Sequence, residues 1–98
     1  KKTMYNYGFQ QTSTANVATS DTSAQSAALG IAESGVFWVR LCADTDTYYA
    51  VGSNPTATTS STFLPANTIE IIKVDVGDKV AGIIATGTGI LGVTVLTS

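Results

Sequence analysis

The side chains that most enzymes rely on are thinly supplied in this sequence. There is no histidine and only one cysteine, while serine and threonine are abundant. A hydroxyl becomes a nucleophile when a base beside it takes its proton, and the usual triad takes that base from histidine. The Ser and Thr side chains are therefore read as structural. Paired carboxylates could support glycosidase-type chemistry, and Asp44/Asp46 and Asp75/Asp78 are the only close pairs. Each pair falls in a segment that reads as a tight turn, where an Asp side chain accepts hydrogen bonds from nearby backbone N–H groups. The Asp-x-Asp at 44–46 lacks the further acidic ligands of a calcium loop. Gly87-Thr88-Gly89 matches part of a dinucleotide fingerprint, but the next glycine, Gly92, falls within a strand pattern and no helix follows. Cys42 lies in an apolar run with no basic cluster near it in sequence, so it reads as a packed thiol. The expectation is a protein that is not an enzyme, with no catalytic residue, no cofactor and no metal site.

Aromatic faces are the remaining candidates for ligand contact. Trp38, Tyr48 and Tyr49 could stack on a sugar, yet aromatics of a small β domain more commonly serve the core or a subunit contact. Tyr5, Tyr7 and Phe9 alternate with Asn6 and Gly8, which suits a short extended segment with one apolar face. The candidate partner-contact residues are Tyr5, Tyr7, Phe9, Trp38 and the loop residues Asn54 and Pro55.

The elements that would position these residues are short strands. With 98 residues the chain is long enough for one hydrophobic core. Residues 1–25 are dominated by Gln, Ser, Thr and Asn, and are read as a polar N-terminal arm, either docked on a neighbour or lacking fixed structure. Residues 26–98 show apolar runs separated by turn residues, the pattern of an antiparallel β-sandwich or jelly-roll-like domain of six to eight short strands. In the clearest run, residues 36–42, Phe37, Val39 and Leu41 share one face and are assigned to the core, with Trp38 and Arg40 opposite. Residues 47–51, 69–74, 79–84 and 90–96 read as further strands, the last with Leu91, Val93 and Val95 inward. Residues 24–32 are the one weak helix candidate, and Gly30 with its flanking residues favours a strand or irregular segment. On this reading, deleting residues 1–20 leaves the sandwich folded.

Charge narrows the partners. Charged residues make up 12% of the chain, about half the usual ~25% for soluble domains. Such a surface suits an assembly subunit covered by neighbours, and equally a neutral extracellular domain. A net charge of −2 offers no basic field for phosphates, so nucleic-acid binding is not expected. No apolar run reaches the ~18 to 20 residues of a membrane span, and no signal-peptide core is visible at the N-terminus, so a soluble protein with no membrane contact is expected. One cysteine excludes an intrachain disulfide, and a small domain without disulfides or metals gains stability by oligomerising.

Four segments in order, 46–58 (DTYYAVGSNPTAT), 63–68 (FLPANT), 76–81 (VGDKVA) and 91–97 (LGVTVLT), resemble small virion proteins of tailed bacteriophages. The resemblance covers residues 25–98 and leaves the arm uncovered. It implies a β-sandwich on the particle, a capsid decoration or cement protein that forms trimers and binds the major capsid protein or other virion proteins. The implied location is the virion, at the capsid surface, after assembly in the host cytoplasm. Related sandwiches also serve as head-tail, tail or fibre components, so a glycan- or receptor-binding module is the alternative. The resemblance supplies no catalytic residues.

Overall fold

The computed structural model describes residues 10–29 and 36–97. Among them are nine strands and no helix: β1 (Gln10–Thr14), β2 (Val17–Thr19), β3 (Ala24–Gln25), β4 (Val36–Ala43), β5 (Thr47–Gly52), β6 (Thr62–Leu64), β7 (Glu70–Asp75), β8 (Lys79–Ile83) and β9 (Gly89–Thr97). The segments from residue 26 onward supply six of these, where the sequence pattern placed six to eight.

All pairings are antiparallel, and they are nested. β5 pairs β6, β4 pairs β7, β3 pairs β8, and β1 and β2 both pair β9. The chain thus doubles back on itself as one long hairpin whose bend is the loop after β5. Two further ladders, β4 with β9 and β5 with β8, roll that hairpin into two sheets. The first sheet runs β1-β9-β4-β7 with β2 also on β9; the second runs β3-β8-β5-β6. Counting β1 and β2 as one interrupted strand, this is the eight-stranded jelly-roll order, so the all-β sandwich expected from the sequence is the observed fold.

Period-2 alternation sets the core between the sheets. Val39, Leu41 and Ala43 of β4 pair with Val95, Val93 and Leu91 of β9, and all six are buried. Val80 of β8, Tyr49 of β5 and Leu64 of β6 face them from the second sheet in the same cluster. At Gly82 the sheets come close: a Cβ there would lie 3.1 Å from Leu91 Cδ2 and 3.2 Å from Thr19 Cγ2. The turn between β7 and β8 is closed by Asp78 N–H donating to Asp75 O at 3.1 Å and Asp75 N–H donating to Asp78 Oδ2 at 3.1 Å. Its third residue, Gly77, has φ +89°, a conformation that costs a residue with a Cβ.

The boundary at residue 25 does not hold. Residues 10–25 are polar by composition, yet they supply three strands, and their chain crosses from one sheet to the other. Val17 sits 2% exposed opposite Leu91, Thr19 is buried opposite Gly89, and Ala24 packs against the core. Their backbone groups, not apolar side chains, do most of the holding: Ala15 N–H donates to Val93 O at 2.8 Å, and the Asn16 side chain accepts from Val93 N–H at 3.1 Å. Composition missed this because a Ser/Thr-rich edge strand needs only one inward apolar residue in two or three to belong.

Removing residues 1–20 therefore strips β9 of its outer neighbours and uncovers Leu91, and the expected outcome is loss of cooperative thermal unfolding. Removing residues 1–9 keeps the nine described strands and should leave the melting transition in place. Circular dichroism melts of the two truncations check this.

Candidate protein-interaction surfaces

The register that buries Val39 and Leu41 turns Trp38, Arg40 and Cys42 to the outer face of the first sheet. Trp38 is half-buried between Lys73 of β7 and Leu96 of β9, with Lys73 Nζ 5.2 Å from the ring centroid. Arg40 lies between Ile71 and Thr94. Leu96 on this face is itself buried. The sequence placed Trp38 and Arg40 outward, and that is where they are; Cys42 is half-buried and free.

The outer face of the second sheet has a different character. Tyr48 pairs Phe63 on one side and Ile83 on the other, making an apolar row across three strands. Phe63 is 46% exposed, and its ring centroid lies 5.2 Å from that of Tyr48 with the planes tilted by 43°. The next row on this face is Ala50, Ala81 and Gln25. Gln25 Nε2 donates to Asn54 Oδ1 at 2.9 Å and to Pro55 O at 2.7 Å, while Ala57 N–H donates to Ser23 Oγ at 2.9 Å. These bonds draw the loop after β5 toward β3, and Ala57 and Ala81 are both buried although neither belongs to the core cluster. Asn54 and Pro55, expected as partner contacts, are thus held by their own chain, and they do not adjoin Trp38, which occupies the other sheet. Tyr5, Tyr7 and Phe9 lie outside the described residues. Phe63 was not singled out from the sequence, yet it was legible: with Leu64 inward, period 2 turns Phe63 out.

The acidic pairs act as turn residues. Asp44 Oδ1 accepts Ile90 N–H at 3.0 Å and Asp46 Oδ1 accepts Ala66 N–H at 2.9 Å, tying the β4–β5 turn to its neighbours. Around Gly89 the packing is tight: a Cβ would lie 2.6 Å from Thr45 Oγ1, 2.9 Å from Asp44 Oδ1 and 3.1 Å from Thr19 Oγ1. Among the described residues no three His, Cys, Asp or Glu side chains are grouped so as to hold a metal ion, and no helix is long and apolar enough to cross a membrane.

Tyr49 reaches across the sandwich, its hydroxyl donating to Glu70 Oε1 at 2.5 Å. Burial, then the hydrogen bond to Glu70 and that carboxylate's charge, hold the phenol far above its ordinary value of 10.0. A folded-state value above the unfolded one means that this group's contribution is intact below pH 10 and fades as pH rises beyond it.

Comparison with models of known protein families, with curated proteins and with solved structures returned no match. The fold defines the class: an all-β jelly-roll module whose two outer faces differ, one carrying Arg40 and Lys73 beside Trp38 and the other an apolar row with Lys79 at its margin.

Two outcomes follow. Tyr49→Phe should cost about 1 to 2 kcal/mol at neutral pH in chemical denaturation, and its melting temperature should fall less than that of the parent between pH 10 and pH 11.5. Gly89→Ala should destabilise by about 1 to 3 kcal/mol, because the methyl group must displace buried oxygens.

Proposed function

We propose that the chain is a structural virion protein of a tailed phage, a capsid decoration or cement subunit that binds the capsid lattice as a homo-oligomer, with a trimer favoured. The observation that carries this reading is the apolar row of exposed Phe63 and half-buried Tyr48 and Ile83, on a sheet face whose one charged side chain among the described residues is Lys79. Such a row is costly to leave in water and gains when a neighbour covers it, at about 25 cal/mol per Å² of apolar surface removed from solvent. The jelly roll is also an architecture that capsid and lectin domains use, a fold-level analogy that supports the reading without assigning the site. Many copies on one shell reinforce each other, because binding to the assembled lattice stabilises each subunit by mass action. On this reading the protein is no enzyme and binds neither nucleic acid nor membrane, and its partners are the major capsid protein or other virion proteins.

The Tyr48–Phe63 ring pair also favours a second reading, a glycan- or receptor-binding module of a tail or fibre, since an exposed aromatic ring can stack on a sugar. Placing Asp at position 63 separates the two. Phe63→Asp should lower occupancy on particles lacking the chain at least tenfold, with little change in melting temperature; unchanged occupancy removes the capsid reading's main support. Saturable sugar binding on a glycan array that the same substitution abolishes would establish the second.

A further inference from the structure

We propose that the outer face of the first sheet, centred on Arg40, is a docking site for a carboxylate-bearing segment of a partner protein. This rests on reading the chain as a protein-binding module, and it names the chemistry of one partner surface.

Arg40 occupies the middle of β4, the strand flanked by β9 and β7, so its neighbours are fixed by two ladders. Ile71 and Thr94 lie beside it across the strands, with Trp38 and Cys42 two positions away along its own. Lys73 stands diagonally across on β7, within reach of a long side chain. The Arg40 side chain is half-buried, and among the described residues its guanidinium forms no hydrogen bond or ion pair. Five N–H donors on a partly desolvated group favour an acceptor of matching shape, and a carboxylate accepts two of them side by side.

The setting selects the partner. Two of the three basic side chains among the described residues, Arg40 and Lys73, lie on this face, beside the half-buried Ile71. The described acids on strands and turns lie elsewhere, except Asp75, which stands at the end of the patch opposite Val36. Polyphosphate partners are recognised by runs of cations that follow the backbone; two cations with an acid at their margin, on a chain of net charge −2, do not make such a track. A peptide that offers one or two carboxylates among apolar side chains fits both the charge and the half-buried Trp38 and Ile71 beside it.

Trp38 is the only tryptophan of the chain, and it lies on this patch, so its fluorescence reports binding there. The probe is an eight-residue peptide of alternating Glu and Leu, titrated at low salt, with a Gln/Leu peptide of the same length as the neutral control. The expected result is a saturable shift of Trp38 emission with the acidic peptide that weakens on raising NaCl to 0.5 M. Arg40→Gln should weaken it about tenfold, Arg40→Lys should restore part of the loss, and Lys79→Gln on the other sheet should leave it within about twofold. Thermal melts check that each variant is folded; if Arg40→Gln is not, Lys73→Gln and the salt series decide. An equal response to the neutral peptide, no response to the acidic one at millimolar concentration, parent-like binding by folded Arg40→Gln, or tighter binding of an oligothymidine than of the peptide would each overturn the proposal. The titration needs no particle, so its failure leaves the particle-occupancy result standing, and the reverse holds as well.

Discussion

The register between β4 and β9 is the constraint from which the rest of the molecule follows. Val39 opposite Val95 and Leu41 opposite Val93 place four β-branched or branched apolar side chains between the sheets, all buried. A slip by one residue would turn one of the two strands over, and if β4 turned it would exchange Val39 and Leu41 for Trp38 and Arg40. That slip would bury a guanidinium without a partner and expose the core row, so the two registers are separated by the cost of desolvating a charge as well as by lost apolar burial. Because β9 also carries β1 and β2 on its other side, the same register decides where the N-terminal strand lies and how it crosses to the second sheet.

The two outer faces are consequences of that choice, and they differ in kind. One presents Arg40 and Lys73 beside Trp38; the other presents the uncharged row Phe63, Tyr48 and Ile83, with the loop after β5 held by Gln25. A jelly roll places these faces on opposite sides of one thin sandwich. A subunit with two unlike faces can meet two unlike neighbours at once, which is what a protein bridging parts of a lattice requires. Turn acids, the Tyr49–Glu70 link and the tight packing at Gly89 serve the sandwich itself.

Much of this was legible in the sequence wherever alternation is strict. Residues 36–42 and 90–96 carry β-branched and aromatic residues at period 2, so strand, face and core membership could be read together. Asp side chains that accept from nearby backbone N–H groups marked the turns at 44–46 and 75–78. What escaped was the contribution of residues 10–25, since an edge strand of Gln, Thr and Ser is held by ladder hydrogen bonds that leave little trace in composition. Sheet order escaped too, because nesting depends on pairings up to 87 residues apart, Gln10 with Thr97, which no local pattern encodes. The tie from Gln25 to Asn54 and Pro55 escaped as well, because a polar loop gives no sign of a distant side chain that holds it.

The most direct measurement of the central claim is the set of cross-strand backbone NOEs between β4 and β9 in the folded protein. The account predicts contacts that place Leu41 opposite Val93 and Val39 opposite Val95. Contacts placing Leu41 opposite Gly92 or Thr94 would turn one strand over against the other and contradict it.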